Sequence, residues 1–246
     1  MYKRMILIMF VLALAALGCS LVSVGPISGV TGSGKVVQET RSVSGFSQIE
    51  LAISGDAYVQ QGDTESLTIE GEDNILPLIT TNVQGGRLVI DSKPATSFRM
   101  TRPLVFHITV RDLSGLEISG SGKFIAGQVQ ADNMNLQISG SGEISFDQLT
   151  AQSLAASIDG SGTIRVSSGM VVKQSVEIPG SGNFNADQLQ SQDTTVRLDG
   201  SGNANLWVTD QLNVVVNGSG NVYYYGSPQV SSTINGSGDV QSRGDR

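Results

Sequence analysis

The side chains best able to support chemistry are few, and their spacing matters more than their number. Asp159 and Asp199 stand forty residues apart in a segment whose Gly-Ser-Gly tripeptide returns every twenty, and Asp147 and Asp187 share that interval. If each unit is one coil of a solenoid, residues two coils apart are separated by about 10 Å. That is near the upper end of the carboxylate spacing used by inverting glycosidases. Aspartate beside a glycine corner is equally an ordinary turn residue, so a carbohydrate-active enzyme stands as the alternative to a binding module.

Other chemistries find less support. The only histidine, His107, lies in Leu104-Val105-Phe106-His107-Ile108-Thr109-Val110. Alternation puts Leu104, Phe106, Ile108 and Val110 on one face and His107 on the other, wetter one. A hydrolase triad or a zinc site needs partners that a single imidazole and a single cysteine do not supply. Gly29-Val30-Thr31-Gly32-Ser33-Gly34-Lys35 has the glycine and lysine spacing of a phosphate loop. Val36 replaces the magnesium-reaching hydroxyl and a strand follows instead of a helix, so the segment reads as linker and no nucleotide is expected. The residues after each tripeptide, Lys123, Glu143, Thr163, Asn183, Asn203, Asn221 and Asp239, form no acidic column for calcium. No metal or cofactor is expected.

The first residues set the compartment. Lys3 and Arg4 precede an uncharged run, Met5 to Gly18, of signal-peptide length, shorter than the roughly 20 residues that span a bilayer. Ala16-Leu17-Gly18-Cys19-Ser20 resembles a bacterial lipobox, with Ala16 in place of the usual leucine. It implies cleavage before Cys19 and a lipid on its thiol; an ordinary secretory signal is the alternative. Residues 1–18 are therefore assigned to a signal peptide, and the small, Gly/Ser-rich 19–35 to a lipid-anchored flexible tether. Losing Lys3 and Arg4 moves the net charge from −7 to −9, which disfavours nucleic acid and anionic lipid surfaces as partners.

Elements able to position side chains appear next. Strands are expected at Gln48–Ile53, Leu67–Glu70, Arg87–Asp91 and Leu104–Val110, with a hairpin turn at Gln84-Gly85-Gly86 and a short helical turn in Asp73–Ile79. This makes 36–112 an irregular β part. Beyond it the corner recurs as Gly120-Ser121-Gly122, Gly140-Ser141-Gly142, Gly160-Ser161-Gly162, Gly180-Ser181-Gly182, Gly200-Ser201-Gly202, Gly218-Ser219-Gly220 and Gly236-Ser237-Gly238. The flanks keep register: Leu116/Ile118, Leu136/Ile138, Ala156/Ile158, Val176/Ile178, Val196/Leu198 and Val214/Val216 precede the corners, and Phe124, Ile144, Ile164, Phe184, Ala204 and Val222 follow them. A fixed period with period-two alternation on both sides predicts an all-β parallel β-helix, or β-solenoid, over 113–240, each coil being strand, corner, strand. Residues 241–246 form a tail. Glycine at both corner positions fits either positive φ or close backbone packing.

The repeated Ile-Ser-Gly-Ser-Gly, together with Val43-Ser44-Gly45-Phe46-Ser47-Gln48-Ile49-Glu50-Leu51 and Val59-Gln60-Gln61-Gly62-Asp63, resembles the head GIN domain family of putative autotransporter adhesins from about Gly32 to Asp239. The resemblance implies a right-handed coil, an exported location and adhesion as a role, with no defined binding residues. Ile53-Ser54-Gly55-Asp56 departs from the pattern, so the first coil is expected to be irregular there.

Two features bear on adhesion. Seven residues past the first glycine of each corner lie Gly127, Asp147, Ser167, Asp187, Trp207 and Tyr225. With Tyr223, the two aromatics make either a platform for sugar rings or a cap for the solenoid's open end. Arg243-Gly244-Asp245 reads as a chance match in a polar tail. The expected protein is an exported, membrane-anchored, non-catalytic binding or structural module, with a surface glycan or protein as partner.

Overall fold

The computed structural model describes residues 29–246; the signal segment, Cys19 and most of the tether lie outside the described residues. In chain order the first strands are β1 (Val30–Thr31), β2 (Val36–Arg41), β3 (Gln48–Leu51), β4 (Asp56–Gln61), β5 (Ser66–Glu72), β6 (Ile79–Gln84), β7 (Arg87–Ser92), β8 (Phe98–Arg99) and β9 (Val105–Val110). The repeat supplies β10 (Gly115–Ile118), β11 (Lys123–Ile138), β12 (Glu143–Ile158), β13 (Thr163–Val166), β14 (Gly169–Ile178), β15 (Asn183–Leu198), β16 (Asn203–Val216), β17 (Val222–Tyr225), β18 (Gln229–Ile234) and β19 (Val240–Ser242). A 3-10 turn at Leu76–Leu78 interrupts them.

The repeat is a parallel β-solenoid, and each coil has one more face than the sequence pattern suggested. β11 and β12 pair in register over 123–126, 128–131 and 133–138, leaving Gly127 and Asp132 unpaired. Phe124 and Ala126 point inward on the first face, Val129 on the second, and Met134, Leu136 and Ile138 on the third. At each unpaired residue the inward phase slips by one, which bends the strand. Val129, Leu149 and Leu189, all buried, were the available signal for the second face. The shortening from twenty to eighteen residues is absorbed beside that face, where the β15–β16 register shifts between Ala186 and Gln190 and between Ser191 and Asp193.

The corners decide why glycine is required. None of the corner glycines has positive φ. A Cβ placed on Gly140, Gly160, Gly180, Gly200, Gly218 or Gly236 would instead stand 1.9–2.2 Å from the carbonyl oxygen of the glycine one coil earlier. Those same carbonyls accept the N–H of Ser141, Ser161, Ser181, Ser201, Ser219 and Ser237 at 2.9–3.2 Å. Close packing of rungs excludes the side chain. This also accounts for Ile53. Its coil stacks on a rung that has no corner, because Ser92 and Val105 are joined by an excursion through β8, so no glycine carbonyl lies over it.

The N-terminal end is not wound in chain order. β7 pairs with β3 and β9 with β4, while β3 pairs with β10 and β4 with β11, all parallel. The rung 87–110 therefore lies outside the earlier rung 48–61. Antiparallel strands close this end: β6 pairs on β7, β5 on β9 and β2 on β5. The β6–β7 turn has Gly85 and Gly86 at φ 58 and 79, the backbone a type I′ hairpin demands.

Residues 29–35, expected as the end of the tether, are part of this cap. β1 pairs with β8, and the phosphate-loop look-alike wraps an internal carboxylate. Glu72, 1% exposed, accepts Gly34 N–H at 2.7 Å, Thr101 N–H at 2.9 Å and the Thr101 hydroxyl at 2.6 Å. A Cβ on Gly32 would meet Glu72 Oε2 at 1.9 Å. The Thr101 hydroxyl, and after it the Thr101, Gly34 and Arg102 N–H groups, hold the Glu72 carboxyl below its ordinary pKa against an opposing effect of burial. A depressed folded value means that the stabilisation is present above the unfolded pKa and is lost as pH falls through the folded one. Glu72→Gln is expected to free residues 29–35 at neutral pH and to flatten the acid limb of stability, measured by hydrogen exchange of that segment from pH 7 to pH 3.

Candidate binding surfaces

The outer faces carry the polar side chains, and the sequence-predicted residues separate there into two groups. Three of the four aspartates are engaged by other side chains, and Asp147 lines a hollow described below. Asp199 accepts Asn217 Nδ2 at 2.6 Å and Arg197 Nε at 2.8 Å; the Asn217 bond first, then Arg197, holds its carboxyl below the usual range. A general acid requires the opposite shift. Asp159 accepts the Ser157 hydroxyl at 3.2 Å, and Asp187 is paired with Arg246 at 3.0 Å. Among the described residues no cluster of three or more His, Cys, Asp or Glu is placed to hold a metal ion.

The C-terminal aromatics form a real column only in part. Trp207 lies beside Tyr225 in adjacent rungs, but the register shift puts Trp207 beside Gln190 rather than Asp187. The Tyr223 and Tyr225 rings do not lie bare. They stand on an outer face, with the Arg243 guanidinium 4.2 Å from the Tyr223 ring and that of Arg246 4.3 Å from the Tyr225 ring. The tail is held as a further rung by Arg243 N–H to Tyr224 O at 2.7 Å and Gly226 N–H to Gly244 O at 2.9 Å. Asp245 of the Arg-Gly-Asp tripeptide accepts the Ser227 hydroxyl.

A third surface was not legible in the repeat. At the N-terminal end Tyr58 and His107 stack with ring centroids 5.6 Å apart and planes at 15°, Tyr58 being 44% exposed. They border a depression of about 610 Å³ that also takes in Gln60, Thr109, Gly127, Gln128 and Asp147. A second hollow of about 410 Å³ continues from Gln61 and Gln128 to Gln148 and Thr150. Gln61 builds the wall between them, donating to Arg111 O and Gln130 O and accepting Gln130 N–H at 2.8 Å. Gly127 forms the floor, where a Cβ would meet nothing within 4 Å. The lining offers glutamine amides, threonine hydroxyls and the carboxylates of Asp112 and Asp147 beside an aromatic edge, each amide presenting both donors and an acceptor. His107 and Tyr58 meet only because rung 87–110 packs outside rung 48–61, and no repeat spacing encodes that.

Residues 45–228 match the family described as putative auto-transporter adhesin, head GIN domain. The chain belongs to this family. Among solved structures, a putative adhesin from Bacteroides fragilis is similar over 87% of this chain and all of its own, at 26% identity and a TM-score of 0.83. A putative lipid binding protein from Parabacteroides distasonis shares 24% identity over 88% of this chain and 99% of its own, at a TM-score of 0.70. A putative adhesin from Parabacteroides merdae shares 22% identity over 87% and 98%, at 0.66. No curated protein matches the chain. The matched stretch takes in rungs 48–61 and 87–110 and the corners from Gly120 to Gly220.

Proposed function

We propose that this chain is an exported, lipid-anchored surface module that binds a glycan chain in the Tyr58–Gln148 groove without turning it over. The groove itself carries the reading: two adjoining hollows lined by glutamine amides and threonine hydroxyls, with the carboxylates of Asp112 and Asp147 among them, beside stacked aromatic rings, in a family described as putative auto-transporter adhesins. Apolar ring edges and paired donor–acceptor amides match the alternating C–H and hydroxyl surfaces of sugars. The lowered carboxyl of Asp199 and the Arg246 pairing of Asp187 support binding over hydrolysis. Cys19 falls outside the described residues; the lipobox-like Ala16-Leu17-Gly18-Cys19 of the sequence supports an anchor there, which would set the groove where it meets external ligands.

The test is a glycan array probed with the chain from Cys19 onward, beside Gly127→Trp and Tyr58→Ala variants. A Cβ at Gly127 meets nothing within 4 Å, so Gly127→Trp is expected to fill the groove with an unchanged melting curve, which is measured alongside. Each variant is expected to weaken binding by about tenfold or more, equivalent to about 1.4 kcal/mol, with the bound glycan intact by mass spectrometry. Undiminished binding by both variants rejects the groove, and a cleaved glycan rejects the non-catalytic reading.

A further inference from the structure

One face of the solenoid differs from the other two in charge. The register sets Gln130, Thr150, Met170, Gln190, Trp207 and Tyr225 in one outward row along the second face, each beside the next in adjacent rungs. Gln128, Gln148, Ser168 and Gln188 recur next to it at the twenty-residue interval, all exposed. None of these residues is charged. The outward rows of the first face, by contrast, include Lys123, Glu143 and Arg165, and those of the third include Lys173, Glu177 and Arg197. Asp147 and the Arg246-paired Asp187 stand at the corner beside the second face, not on it. Met170 is 51% exposed, an apolar side chain left uncovered in a row of amides.

The row begins where the groove ends. Gln130, Gln148 and Thr150 line the hollow of about 410 Å³, and Met170 is the next neighbour of Thr150. At the far end Arg246 occupies the Tyr225 ring, so the free row runs from Gln130 to Trp207, four rung spacings or about 19 Å. The backbone of 148–151 is paired with 128–131 on one side and with 169–171 on the other. This surface therefore offers no ladder to an extended peptide, which binds by adding to a sheet edge. The net charge of −7 disfavours a polyanion. What remains on offer is a set of side-chain amides and a hydroxyl repeated at the rung spacing, with Met170 and Trp207 as apolar contacts among them.

We propose that a neutral, linear glycan lies along the solenoid axis on this face, entering at the Tyr58–Gln148 groove and reaching Trp207. The inference rests on the glycan reading of the groove and deepens it. The ligand is a polymer of several sugar units, and Met170 and Trp207 are its remote contacts. Sugar rings present C–H faces to the indole and the thioether and hydroxyls to the glutamine amides. Each rung adds a contact to a chain already held, so affinity rises with glycan length until the row is filled.

The experiment titrates the chain from Cys19 onward with neutral β-linked gluco-, manno- and N-acetylglucosamine oligosaccharides, from trisaccharide to octasaccharide, by calorimetry. In a series that binds, affinity is expected to rise by about tenfold or more from the shortest to the longest. Trp207→Ala and Met170→Glu should each remove that rise and leave trisaccharide binding as in the wild type. Neither side chain belongs to the buried core, so both variants should keep the wild-type melting curve. Gly127→Trp should weaken every length. Loss of the rise in Trp207→Ala, with Gly127→Trp binding as the wild type does, supports the row and rejects the groove. Equal affinity at all lengths, or a rise that survives both Trp207→Ala and Met170→Glu, overturns this inference and leaves the groove reading standing. Absence of binding in all three series overturns both.

Discussion

Gly200→Ala is expected to destabilise the solenoid by about 3 kcal/mol or more, the upper end of what an overpacked site costs. The added methyl would stand 1.9 Å from the Gly180 carbonyl oxygen and 2.6 Å from that of Pro179. Neither atom is a flexible tip: both belong to backbone, and the Gly180 carbonyl accepts Ser201 N–H at 3.1 Å. Relief therefore requires moving one rung away from the next, which lengthens the bonds on either side of the corner. Contacts in a solenoid pass only between neighbours, so the damage should localise to rungs 180–202 and divide the repeat there. Urea unfolding, with hydrogen exchange to place the break, checks the result. The internal control is Gly127→Ala, where a Cβ meets nothing within 4 Å and the change should stay within about 0.5 kcal/mol. Equal effects at the two glycines would show that chain flexibility, and not the approach of neighbouring carbonyls, explains the corner.

That contrast also shows what a sequence of this type discloses. The Gly-Ser-Gly period and the flanking alternation specify rungs, register and inward residues, because neighbouring rungs constrain one another identically at each repeat. They left open which property of glycine mattered, since positive φ and close approach leave the same letter. The second face was hidden by the slip of inward phase at Gly127 and Asp132, which breaks a period-two reading although Val129 and Leu149 mark it. Residues 29–35 read as tether because their partners, Glu72, Asp73 and Asn74, lie some forty positions away. The groove was least legible. Tyr58 and His107 are 49 residues apart in sequence and meet through a crossing of rungs that only the folded chain contains.

The same crossing makes Phe124 the most consequential core residue. On the first face its register neighbours are Ala57 on one side and Ile144 on the other, and beyond Ala57 lies Phe106. All four are fully buried. The small Ala57 is accommodated between two phenylalanines, so the ring of Phe124 fills space that its own rung and the out-of-order rung 48–61 share. Phe124→Ala would place two alanines in succession, leaving a cavity that backbone pairing across β4, β11 and β12 resists closing. Truncation of a buried phenylalanine costs about 3–5 kcal/mol, rising with the volume left open, and here the upper end is expected. The loss falls on the junction between cap and repeat. Residues 29–110 should therefore exchange amide hydrogens well before residues 135–225, and calorimetry should resolve two transitions in place of one. Release of the cap would expose the parallel edges of β10 and β11, which β3 and β4 cover in the intact chain, and the variant should aggregate on heating where the wild type refolds. Uniform exchange across the molecule, with a single cooperative transition, would instead mean that cap and repeat share one unit of stability, and that the groove at their junction is as rigid as the repeat itself.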